Sequence, residues 1–319
     1  MPKVSILMPV YAPQPDFLRE AITSVQKQTF TDWTLAIRED PSHVNTEEIV
    51  RPFLSDQRIS FQRNPVRLGI GGNWNACLRS AAGTYVQFLF QDDLWEPEYL
   101  ARSADALENS PSAGMVIAQH TYRAEGTDAE TFLEAAGLRT IETMRGGLRP
   151  GTTNGKAFLT DWLRRGLHPN IIGEPSFVML RRSIVEQAGL FREDLHQNLD
   201  HEYWTRMLLL GDVHFQKDNL GTFRVHVGGA SMMHDTTGEG IFDRLRIFVL
   251  LLHSLPDGEL RNEANHSLHE QVRKMGSKFR HRVSDGKRAV GSGGMLRIIP
   301  FFLRHPLLLA EALRGVLIA

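Results

Sequence analysis

Tyr85-Val-Gln-Phe-Leu-Phe-Gln-Asp-Asp-Leu-Trp-Glu-Pro97 is the stretch that decides the fold. Tyr85 to Phe90 is an aromatic and β-branched run with the pattern of a buried strand, and Pro97 opens the helical spacing Glu98, Leu100, Ala101, Ala104, Leu107. Asp92 and Asp93 therefore fall just past a strand's C-terminal end. Ligands of open α/β sheets bind at that edge, and two adjacent carboxylates there make a hard-oxygen site suited to Mg²⁺ or Mn²⁺ carrying a diphosphate. The plainer reading of the same dipeptide is an acidic turn capping the next helix.

Upstream, Val4 to Met8 is a short apolar run stopped by Pro9 and followed by Tyr11-Ala-Pro13, the pattern of a central strand ending in an open loop. Phe17, Leu18, Ala21, Ile22 and Val25 recur at helical spacing up to Gln28, and Trp33 to Arg38 supplies a second strand with Asp40 at its end. Asn45 with Glu48 starts a helix through Leu54 in the manner of a capping box, and Ile59 to Phe61 is a third strand. Gly71-Gly72 precede a helix carrying Trp74, Leu78 and Ala81, which Gly83-Thr84 closes. Four strands alternating with helices predict an α/β fold with a parallel, doubly wound sheet.

Downstream, Ala113 to Ala118 reads as a further strand, and 125–150 is a polar, Gly-containing insertion to which the pattern assigns no structure. Ser176 to Leu180 is another strand, Gly189 ends a short helix, and Asp200, Tyr203, Trp204, Met207 and Leu208 make an amphipathic helix up to Gly211. Val213 to Phe215 and Thr222 to Val227 are short strands. From Ile241 long helical patterns take over, which divides the chain near Gly238-Glu-Gly240 into a domain of 1–238 and a helical C-terminal extension of 239–319.

With 319 residues, 42% of them hydrophobic, and a formal net charge of −1, the chain reads as a soluble globular one of one large or two modest domains. The bulk charge says nothing about partners; no nucleic-acid partner is expected. The single cysteine, Cys77, lies on the Trp74 helix and reads as a small buried residue, so no disulfide can form within the chain. Met1-Pro-Lys3 leads straight into a strand without a signal-peptide layout, and no apolar run is long enough to span a bilayer; a cytoplasmic site of action is the expectation.

In order, Val4 to Tyr11, Glu39-Asp40, Leu68-Gly69 with Asn75, Gly83-Thr-Tyr85 and Gln91-Asp-Asp-Leu-Trp95 resemble the family 2 glycosyltransferases of the GT-A fold, over about 230 residues. The resemblance implies a doubly wound, mostly parallel sheet. It implies an inverting transferase that moves a sugar from a nucleotide-diphosphate donor to a saccharide or lipid-linked acceptor, as in bacterial cell-surface polysaccharide synthesis. By position, Pro9, Tyr11 and Ala12 would line the base, Asp40 would read base or ribose, with helix capping as its alternative, and Gly69, Asn75 and Gln91 would belong to the same donor site. Glu39 stands where the family usually has an aspartate. In the family's metal triplet, Phe90-Gln91-Asp92 here, the first acid is replaced by Phe90; Asp92 is then the carboxylate for Mg²⁺ or Mn²⁺ and Asp93 a neighbour near the ribose. Leu199-Asp-His-Glu-Tyr-Trp-Thr-Arg206 resembles the family's helix start, with Leu199 in place of a glutamate and Asp200 as the matched base that deprotonates the acceptor; a helix N-cap is the alternative for Asp200. Phe223-Arg-Val-His226, with Ser231, resembles the family's segment beside the diphosphate, where Arg224 would bind phosphate and His226 complete the metal shell; a place on the packed face of an alternating strand is the alternative for His226.

Other chemistries fit less well. Gly69-Ile-Gly71 precedes a helix but does not follow the first strand, so it is no dinucleotide fingerprint. The Tyr11–Pro15 loop lacks the glycines and arginine needed to wrap a triphosphate, and no Gly-x-Ser-x-Gly elbow is present. His196, His201 and His234 match no zinc spacing. A catalytically silent nucleotide-sugar-binding subunit is the rival function, motivated by Phe90 and Leu199. Finally, Gln271 to Arg304 carries nine Lys or Arg against one acid, Asp285, and Met295 to Ile318 is apolar but interrupted, a pattern for peripheral contact with the inner face of a membrane or for packing on the chain's own domain.

Overall fold

The computed structural model describes residues 1–195, 197–229 and 239–284, with 302, 303, 306 and 308–310. His196, Ser231, His234, the 238 side of the expected domain boundary and most of the basic and apolar C-terminal stretch lie outside the described residues.

Strands β1 (Val4–Val10), β2 (Trp33–Glu39), β3 (Ile59–Arg63) and β4 (Tyr85–Phe88) lie in the order β3-β2-β1-β4 and pair in parallel, as their alternation with helices α1 (Pro15–Gln26), α2 (Thr46–Val50) and α3 (Gly69–Leu78) predicts. Every residue of β1 is buried, which fits its near-continuous apolar run between two partners. β4 pairs only with Val4 to Leu7, so buried Pro9 falls where β1 has one neighbour and a missing N–H costs least.

Beyond β4 the sheet is mixed. After β5 (Leu94–Trp95), α4 (Tyr99–Asn109), β6 (Ala113–Glu125), β7 (Gly151–Thr153), β8 (Val178–Arg181), α8 (Arg182–Ala188), α9 (Leu199–Leu210) and β9 (Asp212–His226), the full order is β3-β2-β1-β4-β8-β6-β9-β5, with β7 on β9. β8 is antiparallel to both β4 and β6, a direction that an isolated apolar run does not encode. The two strands expected at 213–215 and 222–227 are one bent strand, β9, paired along β6 with irregular register between Ala118 and Thr121. The 125–150 insertion folds as α5 (Thr127–Ala135) and α6 (Leu138–Gly146), which bury little beyond Ala129, Leu133 and Arg145 and so show no strong apolar stripe.

Apolar side chains fill both faces of the sheet. One cluster lies under α1 and α4; the other is closed by α7 (Gly155–Arg164), α9, α10 (Glu239–Ser254) and α11 (Glu259–Ser284). Phe248 and Leu251 of α10 and Leu268 and Val272 of α11 share this second core with Trp162 and Trp204, and Phe302 and Leu308 join it too. Burying each such side chain is worth about 1.5–3 kcal/mol, so the C-terminal helices complete the core that carries α9.

Candidate active site

Neighbouring strands leave β1 in opposite directions of chain order, so the crevice at the C-terminal ends of β1 and β4 is a topological switch point. Tyr11 N–H donates to Gln91 Oε1 at 2.9 Å, and the Gln91 amide donates back to Tyr11 O at 3.2 Å, clasping the two loops across that crevice. Ala12 adopts φ 44°, and the Tyr11 ring, 41% exposed, is covered by the Arg67 guanidinium 4.1 Å from its centroid. Arg67 was not among the residues singled out from the sequence; only the fold brings it to Tyr11.

Asp92 stands in the same crevice, its Oδ2 2.9 Å from His226 Nε2 at the end of β9. His226 Nδ1–H donates to Val227 O at 3.1 Å, which leaves Nε2 as the nitrogen turned to Asp92. The hydrogen bond with Asp92, acting against burial, raises the imidazole above its ordinary range. Among the described residues no three His, Cys, Asp or Glu side chains are grouped to hold a metal. One carboxylate and one imidazole whose Nε2 faces it nevertheless form a donor set that a divalent cation accepts in place of their mutual hydrogen bond, once phosphate oxygens and water fill the other positions. Where the family's first acid would stand, the Phe90 ring packs 4.9 Å from Trp74, which itself meets Phe191 edge-on.

Several residues expected to face the donor are engaged elsewhere. Asp93 is fully buried; Ser176 Oγ–H donates to its Oδ2 at 2.5 Å and Arg224 N–H to its Oδ1 at 3.2 Å, so it ties strands together and does not reach a ribose. Burial, reinforced by the charge of Asp92, pushes its carboxyl well above the usual range. Arg224 is 3% exposed, its side chain paired with Glu20 and 4.0 Å from the Phe17 centroid, so it is not open to phosphate here; its Nε is buried without a partner. Asp40 accepts from Asn64 Nδ2 at 2.8 Å and from the backbone N–H groups of Leu68 and Gly69, capping the start of α3. Gly69, at φ 78°, makes that turn. Glu39 is buried against Arg63 and Thr46. Asn75 binds Phe191 through both its backbone N–H and carbonyl and joins α3 to the chain ahead of α9.

Asp200 lies at the start of α9 with little exposure. Its Oδ1 accepts from the His201 N–H at 2.9 Å and its Oδ2 from Asn170 Nδ2 at 2.9 Å. Asn170 belongs to a segment, 170–176, that reaches both walls of the site. Gly173 O accepts from Trp204 Nε1 at 3.1 Å, while Ser176 Oγ is the donor to Asp93 and accepts from Phe90 N–H at 3.0 Å. Between them Glu174 takes His120 Nε2 at 2.7 Å and the Tyr122 hydroxyl at 3.0 Å, and that hydroxyl accepts from the fully buried Arg145 at 2.9 Å. Burial would raise Glu174, but the His120 hydrogen bond and the Arg145 charge hold it at about 2. Burial and Arg145 hold His120 down to about 4. No motif marks this segment. Its available signal is Glu174 and Ser176, polar residues immediately ahead of the apolar run 177–180.

The family model described as Glycosyl transferase family 2 matches residues 5–189. Over 92 residues the chain is 39% identical to the UDP-Glc:alpha-D-GlcNAc-diphosphoundecaprenol beta-1,3-glucosyltransferase WfgD of Escherichia coli, a match covering 29% of this chain and 36% of that one. The crystal structure of S. aureus TarS 1-349 in complex with UDP-GlcNAc superposes at a TM-score of 0.64 with 17% identity, covering 86% of this chain and 73% of that one. The mannosyltransferase PcManGT from Pyrobaculum calidifontis, in complex with GDP-Man and Mn²⁺, gives a TM-score of 0.59 with 15% identity over 99% of this chain and 87% of that one. Both likenesses concern the fold, which is GT-A.

Proposed function

The chain belongs to glycosyl transferase family 2, and from that membership we propose that it transfers a sugar, with inversion, from a nucleotide-diphosphate donor to a hydroxyl of a saccharide or lipid-linked acceptor. What carries the reading is that segment 170–176 ties Asp200 to the sheet edge holding Asp92, His226 and Tyr11. Tyr11, Ala12 and Arg67 receive the nucleotide at the β1 end of the crevice. Asp92 and His226 hold Mg²⁺ or Mn²⁺, as the Mn²⁺ in the PcManGT complex and the donor set here both support. Such a cation, when bound, neutralises charge on the leaving diphosphate.

Asp200 is the base. The acceptor oxygen bonds to the anomeric carbon while the bond from that carbon to the phosphate oxygen breaks on the opposite side. The electron pair leaves with the diphosphate, and the acceptor's proton passes to the Asp200 carboxylate. Asp40 contributes through Leu68 and Gly69, whose turn it fixes.

The test is turnover of UDP-glucose, UDP-N-acetylglucosamine and GDP-mannose by the purified chain, with Mn²⁺, with Mg²⁺ and with chelator. Metal-dependent release of the nucleoside diphosphate from one of them is expected. Binding without any release would favour the silent subunit suggested by Phe90 and Leu199.

The lipid-linked class of acceptor is supported by the E. coli relative, whose name specifies one, and by the basic stretch 271–304. No helix among the described residues is long and apolar enough to cross a membrane, so the contact proposed is peripheral. Co-sedimentation with anionic vesicles at low salt, lost on ending the chain at Val290, is the expected result. Equal recovery of both forms in the supernatant overturns it.

A further inference from the structure

We propose that Asn170 is a positioning residue for Asp200, an inference that rests on Asp200 being the base. The amide orientation is fixed by its surroundings. Gly173 N–H, which can only donate, lies 3.0 Å from Asn170 Oδ1, so the oxygen must face it and the NH₂ group must turn towards Asp200 Oδ2 at 2.9 Å and Gly173 O at 3.2 Å. Both partners on that side are acceptors, so the flipped amide would set oxygen against oxygen. The turn holding Asn170 is fixed from behind: Gly173 sits at φ +101°, and a Cβ there would come within 2.9 Å of His120 Cε1 and 3.2 Å of Arg145 Nη2. Those residues are locked by Glu174 and Tyr122, as described above.

Asp200 therefore has Oδ1 on its own helix start, against the N–H and the imidazole Nδ1 of His201, and Oδ2 on Asn170. Asn170 holds the oxygen that His201 does not reach, so its bond completes the definition of the carboxylate plane and directs the remaining lone pairs. A base must lie within hydrogen-bond reach of the proton it takes, so loss of the Asn170 bond frees Asp200 to rotate and lowers the fraction of bound acceptors that meet it correctly. The donor site is left alone, since Asn170 touches none of Tyr11, Gln91, Asp92 or His226.

Asn170→Ala and the isosteric Asn170→Asp test this in the full chain, with UDP-glucose, UDP-N-acetylglucosamine and GDP-mannose as donors and water or acceptor as the nucleophile. We expect kcat to fall about 10- to 100-fold with KM for the donor within about twofold, a step within the range of a positioned general base. In the Asp200→Asn background the same change should have almost no further effect, because the group it orients has gone. Crystal structures of the parent and Asn170→Ala give a readout independent of turnover, and the Asp200 carboxylate should leave its plane or split between two rotamers. Parental kcat in both variants, additive losses in the double variant, or an unmoved Asp200 would each overturn the proposal. If Asp200→Asn itself turns over like the parent, the base assignment fails instead, and the crystallographic result still decides whether Asn170 holds this carboxylate.

Discussion

Asp200 is held by Asn170 Nδ2 on Oδ2 and by the His201 N–H and imidazole Nδ1 on Oδ1, and it still keeps lone pairs for an acceptor proton, so Asp200→Asn removes basicity while leaving the shape of the site. Turnover should drop by about two to four orders of magnitude with donor affinity retained, and the parent's product should carry the inverted anomeric configuration. Near-parental turnover, or a retained configuration, would move the role elsewhere. Asp92→Asn acts on the other wall. Calorimetry with UDP or GDP, with Mn²⁺ and with chelator, should show the parent's affinity depending on metal and the variant's not; four equal affinities would remove Asp92 from the metal site. At this scale the sequence was legible where a residue's position after a strand determines its surroundings, as for Tyr11, Gln91 and Asp92. It was misleading where the chain supplies a partner from far away. Asp93 meets Ser176 and Arg224 meets Glu20, residues whose proximity depends on the mixed half of the sheet.

Segment 170–176, β6 and α6 share one buried ion cluster, and its loss should be felt as a unit. Glu174→Ala strips the fully buried Arg145 guanidinium of its carboxylate and should cost about 3–5 kcal/mol in urea unfolding. Replacing both, with Arg145→Met and Glu174→Gln, should cost less than Glu174→Ala alone, because no charge is left stranded. A larger loss in the double variant would mean the cluster is net stabilising through its hydrogen bonds. Elements such as β1 to β4 were readable because each has a period and a stop signal. α6 was not, because its one fully buried side chain is Arg145, an arginine that no apolar periodicity can reveal.

For the whole molecule, stability should follow the protons on that cluster. Above its ordinary value of 6.5, His120 is neutral folded and unfolded and contributes nothing to the pH dependence. As pH falls from 6.5 towards the folded value of about 4, the unfolded chain takes up a proton that the folded chain refuses, and up to about 3 kcal/mol is lost. Glu174 extends the loss from 4.5 down to about 2, while buried Asp93, shifted upward, acts in the opposite sense. Comparison with His120→Gln isolates the first contribution: between pH 7 and pH 4.5 the parent should lose about 2–3 kcal/mol more than the variant, and parallel curves would contradict it. The core has a similar reach. Ending the chain at Ser254 should uncover the α10 face that Leu268 and Val272 close, and the product should bind a hydrophobic dye at room temperature where the full chain does not. The long helical pattern after 240 was legible as helix; that it roofs the same core as Trp204 was not, since periodicity tells which face is buried but not against what.

The irregular stretch of β9 sets where this chain can tolerate a change in length. Gln119 pairs with Asn219 and Ala118 with Gln216, so Lys217 and Asp218 have no opposite number on β6, whereas from Thr222 to His226 every residue is matched. Removing one residue from the slack pair can be absorbed there, leaving the far end in phase. Removing one between Thr222 and Val225 cannot: the strand would shift by one position and present the neighbour of His226 to Asp92. Single-residue deletion scanning should therefore find nucleotide binding surviving loss of Lys217 or Asp218 and vanishing with any loss from Thr222 to Val225.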